Sequence, residues 1–464
     1  MSLAAPSTRA LPVQGLILTV LALATLLAQL GATIANVGLP TLMTAFGVGL
    51  GAVQWVVLSY LLAVTTLVVS VGRLGDLIGK KRLFLVGLAG FTLASLACAA
   101  APGFGVLIAA RAVQGAGGAV LMALSLAFVG EAVPKARAGK AIGLLGTVSS
   151  VGTTLAPSLG GLLITGFGWR SIFLINLPLG LAVFWFAYRH LPDDQPRGAD
   201  RTGFDGVGTL ALVATLLGYA LAMTQAQGAG FDDPAVIELL IGAGAGLAAF
   251  IAIEARVENP LVRLALFRDP LLSASLVAGL LVAAIMMSTL LVGPFFLTRA
   301  LGLPTRTVGL TLSIGPLIAA LAGLPAGWVV DRIGARRTMV AGLVCLTMGT
   351  YGMSRITAGD GAVGYGLAIA VISIGYAFFQ TPNNAAVMAE APADRRGLVS
   401  SLLTLARNLG FITGASVMGA VFSLAVGPTT AATPAAIAEG LRVSFQVATG
   451  LAGAALLLTS LAMK

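Results

Sequence analysis

Gln29, Thr33 and Asn36 stand in an apolar run that holds no acid, "LLAQLGATIANVGLP" (26–40). They occupy positions i, i+4 and i+7, so a helix puts all three on one face. Arg111 and Gln114, Gln380 and Asn383, and Arg407 follow, each inside another apolar run. Amide, hydroxyl and guanidinium groups donate or accept hydrogen bonds and fix charge. They supply neither paired acids nor a nucleophile with its base, so the chemistry they point to is recognition rather than conversion. Arginine at the centre of a membrane helix costs about 2.5–3.5 kcal/mol on insertion scales, so it faces a cavity or a partner. The set predicts a wet central cavity lined by Gln29, Thr33, Asn36, Arg111, Gln114, Gln380, Asn383 and Arg407. Bonding between helices is the plainer alternative, and for Asn36, near a span end, the stronger one. For Arg407, a structural bond to a neighbouring helix stands beside direct substrate contact.

Such residues need a membrane frame. The chain has 464 residues, 58% hydrophobic and 9% charged, with a mean hydropathy of +1.00. Soluble proteins are about a quarter charged, so the class is an all-α membrane protein. A helix crosses about 30 Å of hydrocarbon with about 20 apolar residues. Fourteen segments qualify, at 14–38, 52–72, 83–101, 105–129, 141–164, 171–189, 206–223, 236–254, 271–297, 308–330, 338–356, 363–389, 398–424 and 441–462. With the N-terminus inside, 20 of the 27 Lys and Arg fall inside, 5 outside and 2 within spans. That bias predicts both termini in the cytoplasm and turns the net charge of +10 into an orientation signal, not a nucleic-acid footprint. Cys98, Cys345 and the single His190 make no disulfide framework or metal site. The first span is too long, and followed by too many others, to be a cleaved signal.

The polar linker "RHLPDDQPRGADRTGFD" (189–205) precedes the seventh and eighth spans. Removing these leaves two blocks of six spans. The expected division is an N-terminal bundle at 1–190, a linker with two extra helices at 191–270, and a C-terminal bundle at 271–464. "GRLGDLIGKKR" (72–82) ends the second span of the first block and "GWVVDRIGARR" (327–337) that of the second. Each reads G-x-x-x-D-x-x-G before a basic cluster. Matching position, side and chemistry predict a repeat with its site between the halves. Gly72 and Gly327 would allow close helix approach, Gly79 and Gly334 a sharp turn. Asp76 and Asp331, beside Lys80 and Arg332, would pair with cations or cap a helix. Together they predict a gating latch, against a plain positive-inside effect.

With that repeat in hand, the sequence resembles the major facilitator superfamily, and within it the fourteen-span drug:proton antiporters of multidrug efflux. The likeness rests on "ATIANVGLP" (32–40), "VQWVVLSYLLA" (53–63), "RAVQGAGGA" (111–119), "GTTLAPSLGG" (152–161) with Gly143 upstream, "WRSIFLINLPLG" (169–180), "TPNNAAVMAEAP" (381–392) and "LARNLG" (405–410). The resemblance implies two six-helix bundles plus two additional central helices. It implies a secondary exporter of small organic molecules or drugs, working by alternating access and coupled to protons, in the cytoplasmic (inner) membrane. Arg111 then takes a part in proton handling, and Gly152, Pro157, Gly160 and Gly161 favour export. Gly31 departs from the family, which places an aspartate there, and Leu77 stands where a basic residue often follows the loop aspartate. Arg111 and Gly31 share a depth of about 9–10 Å, and Arg407 and Gln380 one of about 14 Å, at 1.5 Å per residue.

Two buried arginines without a buried acid raise the alternative of a neutral or anionic substrate with atypical or no proton coupling. A non-transporting sensor on the same fold is the other. An intramembrane enzyme lacks its acids and histidines, and no phosphate-binding Lys-Ser/Thr loop supports ATP drive. The expected partners are a small-molecule substrate, protons and lipid, with no nucleic acid, no cofactor and a monomeric chain.

Overall fold

The computed structural model describes residues 10–132, 135–194, 206–257, 267–390, 396–427 and 432–462, and among them every regular element is helical. Long apolar sequence favours this outcome, because a helix satisfies its own backbone groups where no water can. The first group is α1 (Ala10–Phe46), a single turn α2 (Leu50–Val53), α3 (Trp55–Ile78), α4 (Lys80–Ala100), α5 (Phe104–Ala132), α6 (Lys135–Phe167), the turn α7 (Ser171–Leu174) and α8 (Asn176–His190). Then come α9 (Gly206–Ala229) and α10 (Pro234–Glu254). The last group is α11 (Pro270–Phe295), α12 (Thr305–Ile333), α13 (Ala335–Met353), α14 (Gly361–Glu390), α15 (Arg396–Thr413), α16 (Gly419–Val426) and α17 (Pro434–Ala462). A π-helical turn, Gly414–Met418, joins α15 to α16.

Among the described residues twelve helices are long and apolar enough to cross a membrane, against the fourteen expected. Helices α6 and α13 fall outside the twelve. Of the described part of α6, Val151–Phe167 forms a shorter apolar helix. Helix α13 opens on Arg336 and Arg337, which lowers its mean hydropathy.

The repeated motif builds the same turn twice. Gly79 closes α3 and opens α4 at φ 100°, and Gly334 does so between α12 and α13 at φ 86°. Each donates its N–H four residues back, to Gly75 at 3.0 Å and Val330 at 2.9 Å. A side chain would strain either position. Both turns lie at one end of the molecule, the motif face.

Helices α1, α3, α4, α5, α6 and α8 pack mainly on one another, and α11 to α17 do likewise. The strongest join between the groups is α6 against α12. An added Cβ at Gly161 would lie 2.7 Å from the carbonyl oxygen of Thr305 and 3.2 Å from Cα of Gly309. Gly309 in turn leaves no room for a side chain against the carbonyl of Pro157. Ser158 N–H donates to Ser313 Oγ at 3.0 Å, and Gly419 abuts the buried amide of Gln54. All these contacts sit toward the face opposite the motif. The core divides accordingly. One apolar cluster joins the opposite-face half of the first group (Ile34, Leu58, Leu107, Phe173) to the last group. A second holds the motif-face half of the first group (Leu21, Phe84, Leu124, Phe128) apart. Among the described residues, the apolar core joins the two groups at one face and is divided between them at the other.

Candidate functional site

Between the groups lies a cavity of about 370 Å³. Helices α1, α3, α5 and α6 form one wall, and α11, α12, α14 and α15 the other. The first wall brings Gln29, Thr33 and Asn36 together with Tyr60, Ser149 and Thr153. The i, i+4, i+7 spacing does this directly, since α1 runs unbroken through all three. Gln29 Nε2 donates to Thr153 Oγ1 at 3.0 Å, fastening α1 to α6, and Thr33 Oγ1 returns to the carbonyl of Gln29 at 2.8 Å. The second wall carries Tyr376, Gln380, Thr381, Arg407 and Asn408. Gln380 Nε2 donates to Asn384 Oδ1 at 3.0 Å, one turn along α14. Apolar side chains, among them Leu61, Val64, Met287, Leu290 and Phe411, complete the lining.

Three expected cavity residues are elsewhere. Arg111 is fully buried and absent from the wall. Its Nε donates to the carbonyl of Val56 at 2.7 Å; its Nη1 donates to the carbonyl of Gly31 at 2.8 Å and to Gln114 Oε1 at 2.6 Å. Gln114 Nε2 passes the chain on to Ser95 Oγ at 2.7 Å, and Gln114 too is fully buried. The Tyr60 ring lies 4.5 Å from the guanidinium carbon and itself lines the cavity, so it stands as a partition. Helix α5 points Arg111 back into its own bundle, where carbonyls of α3 and α1 accept from Nε and Nη1 while the buried Nη2 has no partner. Asn383 is buried behind the second wall, with no partner for either side-chain polar atom.

The motif residues are also distributed unevenly. The surroundings of Gly72, Asp76 and Gly143 lie outside what the structure describes. Gly327 has nothing within 4 Å of an added Cβ, so it makes no close helix approach. Asp331 and Arg332 are exposed in the last turn of α12, and Lys80 opens α4. Gly152 packs on Leu26 and Gln29, and Gly160 on Ile34 and Val37, holding α6 to α1; Pro157 and Gly161 form the α12 seam.

Sequence reading missed Asp193 and Asp194. Asp194 accepts the backbone N–H groups of Lys81 at 2.8 Å and Arg82 at 3.1 Å, capping α4, and Asp193 pairs with Lys81 Nζ at 2.7 Å. The acid following the last helix of the first group thus braces its own motif loop. In the last group Arg336 reaches the carbonyl of Ser460 near the end of α17, at 3.4 Å. A pair of aspartates in a polar linker carries no signal that it folds back on the loop. Gln54 is fully buried at Gly419, and Trp55 donates to Thr224 Oγ1 at 3.2 Å.

Two helical bundles around a central polar cavity, in a chain this apolar, define a membrane transport protein, not an enzyme. The chain belongs to the Major Facilitator Superfamily, whose family model matches residues 21–415. It is 33% identical over 403 residues to the multidrug resistance protein Stp of Mycobacterium tuberculosis (strain CDC 1551 / Oshkosh), covering 85% of this chain and 73% of that one. It is 28% identical over 415 residues to the riboflavin transporter RibZ of Clostridioides difficile (strain 630), covering 88% of each. The fold is similar to that of a bacterial homolog of the human lysosomal transporter Spinster in an inward-facing, unoccupied conformation, with a TM-score of 0.71, 16% identity and 97% of each chain covered.

Proposed function

We propose that this chain is a fourteen-span secondary transporter that exports small organic molecules from the cytoplasm by alternating access. One observation carries the reading: a cavity of about 370 Å³ walled by both bundles, closed at one face by the α6–α12 seam. That volume lies within the usual range for a small-molecule site, about 300–1,000 Å³. The division of the core supports a cavity that communicates with the motif face. On the positive-inside count, that face is cytoplasmic. Counting α6 and α13 as spans restores the alternation that puts both motif turns on one side. The bundles at 1–190 and 271–464 then rock about the cavity, with 191–270 beside them.

Coupling to protons follows from the family resemblance alone. Among the described residues no carboxylate lines the cavity, so its wall offers a proton no acidic carrier. The test is accumulation of a panel of anionic, neutral and cationic fluorescent dyes in cells with and without the protein. Flux is then followed in proteoliposomes under an imposed pH gradient. Lower accumulation of at least one dye, and matching flux in vesicles, is expected. Equal accumulation of every dye would leave a sensor on this fold as the better reading.

A further inference from the structure

The two walls of the cavity differ in charge. On the α1, α3, α5 and α6 side every polar lining group is uncharged at neutral pH. On the α11, α12, α14 and α15 side stands one permanent cation, Arg407, with no carboxylate on either wall among the described residues. Arg111 cannot share the role, since it lies behind Tyr60 with its own carbonyl partners.

The hydrogen bonding of this wall is unfinished. Arg407 Nε has no partner. Asn408, next along α15 and 5% exposed, has no acceptor for its amide nitrogen. Across the cavity Asn36, 2% exposed, has no donor for Oδ1. Unmatched donors thus collect beside the cation, and an unmatched acceptor stands on the neutral wall. Buried polar groups are normally paired; these atoms are shielded from the cavity in this conformation, so what faces a ligand is the charge of Arg407 on an otherwise neutral lining. Arginine suits a carboxylate because its planar fork donates in parallel to two oxygens. Within low-dielectric walls an unneutralised guanidinium also repels a cation strongly.

We propose that the cavity is an organic-anion site, in which Arg407 and Asn408 take an anionic oxygen group such as a carboxylate. The apolar body of the ligand lies between Leu61 and Val64 on one side and Leu290 and Phe411 on the other. This deepens the exporter reading and rests on it.

The experiment uses the full-length protein in proteoliposomes, with matched triplets of small aromatic skeletons. Each skeleton is offered as carboxylate, as primary amide and as trimethylammonium. For every skeleton that is carried, the carboxylate should be transported at least 10-fold faster than the ammonium at equal concentration. Arg407→Gln should bring the two to parity, Arg407→Lys should keep part of the preference, and Asn408→Leu should weaken carboxylate transport with Arg407 intact. Thermal unfolding identifies any variant that has failed to fold. The parent's own ranking tests the proposal without any variant. Preference for the ammonium, or a carboxylate preference that survives in folded Arg407→Gln, overturns the anion site and leaves the exporter standing. No flux for any triplet, alongside no flux for the dye panel, overturns both.

Discussion

The guanidinium of Arg111 donates to the backbone carbonyl of Gly31 across 2.8 Å, and no side chain of α1 reaches it. The depth arithmetic from sequence pairs these two positions; the structure makes the partner a peptide oxygen. An added Cβ at residue 31 would come 2.9 Å from Cζ of Phe91 and 3.5 Å from Cε2 of Tyr60. Phe91 therefore fills the space a side chain there would need. Gly31→Asn should lower thermal stability through overpacking, by about 1–3 kcal/mol. Gly31→Asp should be less destabilised than Gly31→Asn, because its charge faces a cation in a low-dielectric site. Unfolding of the two variants side by side in detergent checks this, and equal losses would place the acid out of reach of Arg111.

Arg111 itself acts as a clamp between α1, α3 and α5. Lysine cannot reproduce its three bonds to Val56, Gly31 and Gln114, since an ammonium lacks the guanidinium fork. Losing a buried charged hydrogen bond costs about 1.5–3 kcal/mol. Arg111→Lys should lower the melting temperature, and ligand affinity should stay near that of the parent because Tyr60 separates the site from the cavity. A large loss of affinity at unchanged stability would return Arg111 to the cavity.

The seam predicts a conformational bias. Gly309 lies against the carbonyl of Pro157, and Gly161 against that of Thr305. Gly309→Val should force α6 and α12 apart at the face opposite the motif. An overpacking penalty of about 1–3 kcal/mol shifts a two-state ratio by about 5- to 150-fold. Spin-label distances across the opposite-face ends of α6 and α12 should lengthen in Gly309→Val. An unchanged distribution would show that the seam is not what closes that face.

The features most legible in the sequence are those set along one helix or one turn. The face shared by Gln29, Thr33 and Asn36 needs only the helical period. The turns at Gly79 and Gly334 need only glycine at a left-handed position between apolar spans. What sequence cannot supply is rotation of one helix relative to another. Arg111 and Gln114 have the correct depth for a cavity, but their direction depends on how α5 packs against α1, α3 and α4. Tyr60 sits in an apolar run with only Ser59 beside it, and nothing there marks it as the partition. Asp194 is separated from Lys81 by four further helical elements, α5 to α8, and only the return of α8 to the motif face brings them together.

That return makes Asp194 the cap of α4. Replacing an N-capping aspartate with alanine costs about 0.5–2 kcal/mol. Asp194→Ala should therefore speed hydrogen exchange of the amides of Lys81 and Arg82, which lose their acceptor. Asp193→Ala should do much less, because the Asp193–Lys81 pair sits at the surface, where such pairs contribute about 0–1 kcal/mol. Equal effects from the two substitutions would mean the loop is held by charge rather than by the cap.

Helix α9 offers the last test. Ser70 Oγ and Thr209 Oγ1 are 2.9 Å apart, and Trp55 Nε1 donates to Thr224 Oγ1, so α9 is fastened to α3 near both of its ends. Its main contacts with the last group are with α16 and the π-helical turn before it, and Tyr219 bonds to Thr413 at the end of α15. Two anchors on one bundle and one shared region on the other mean that α9 should travel with α3 when the bundles rock. A disulfide between cysteines substituted as Ser70→Cys and Thr209→Cys should leave transport running. One between Tyr219→Cys and Thr413→Cys should slow it severalfold, with reduction restoring the rate. If the first cross-link stopped transport and the second did not, α9 would belong to the other bundle.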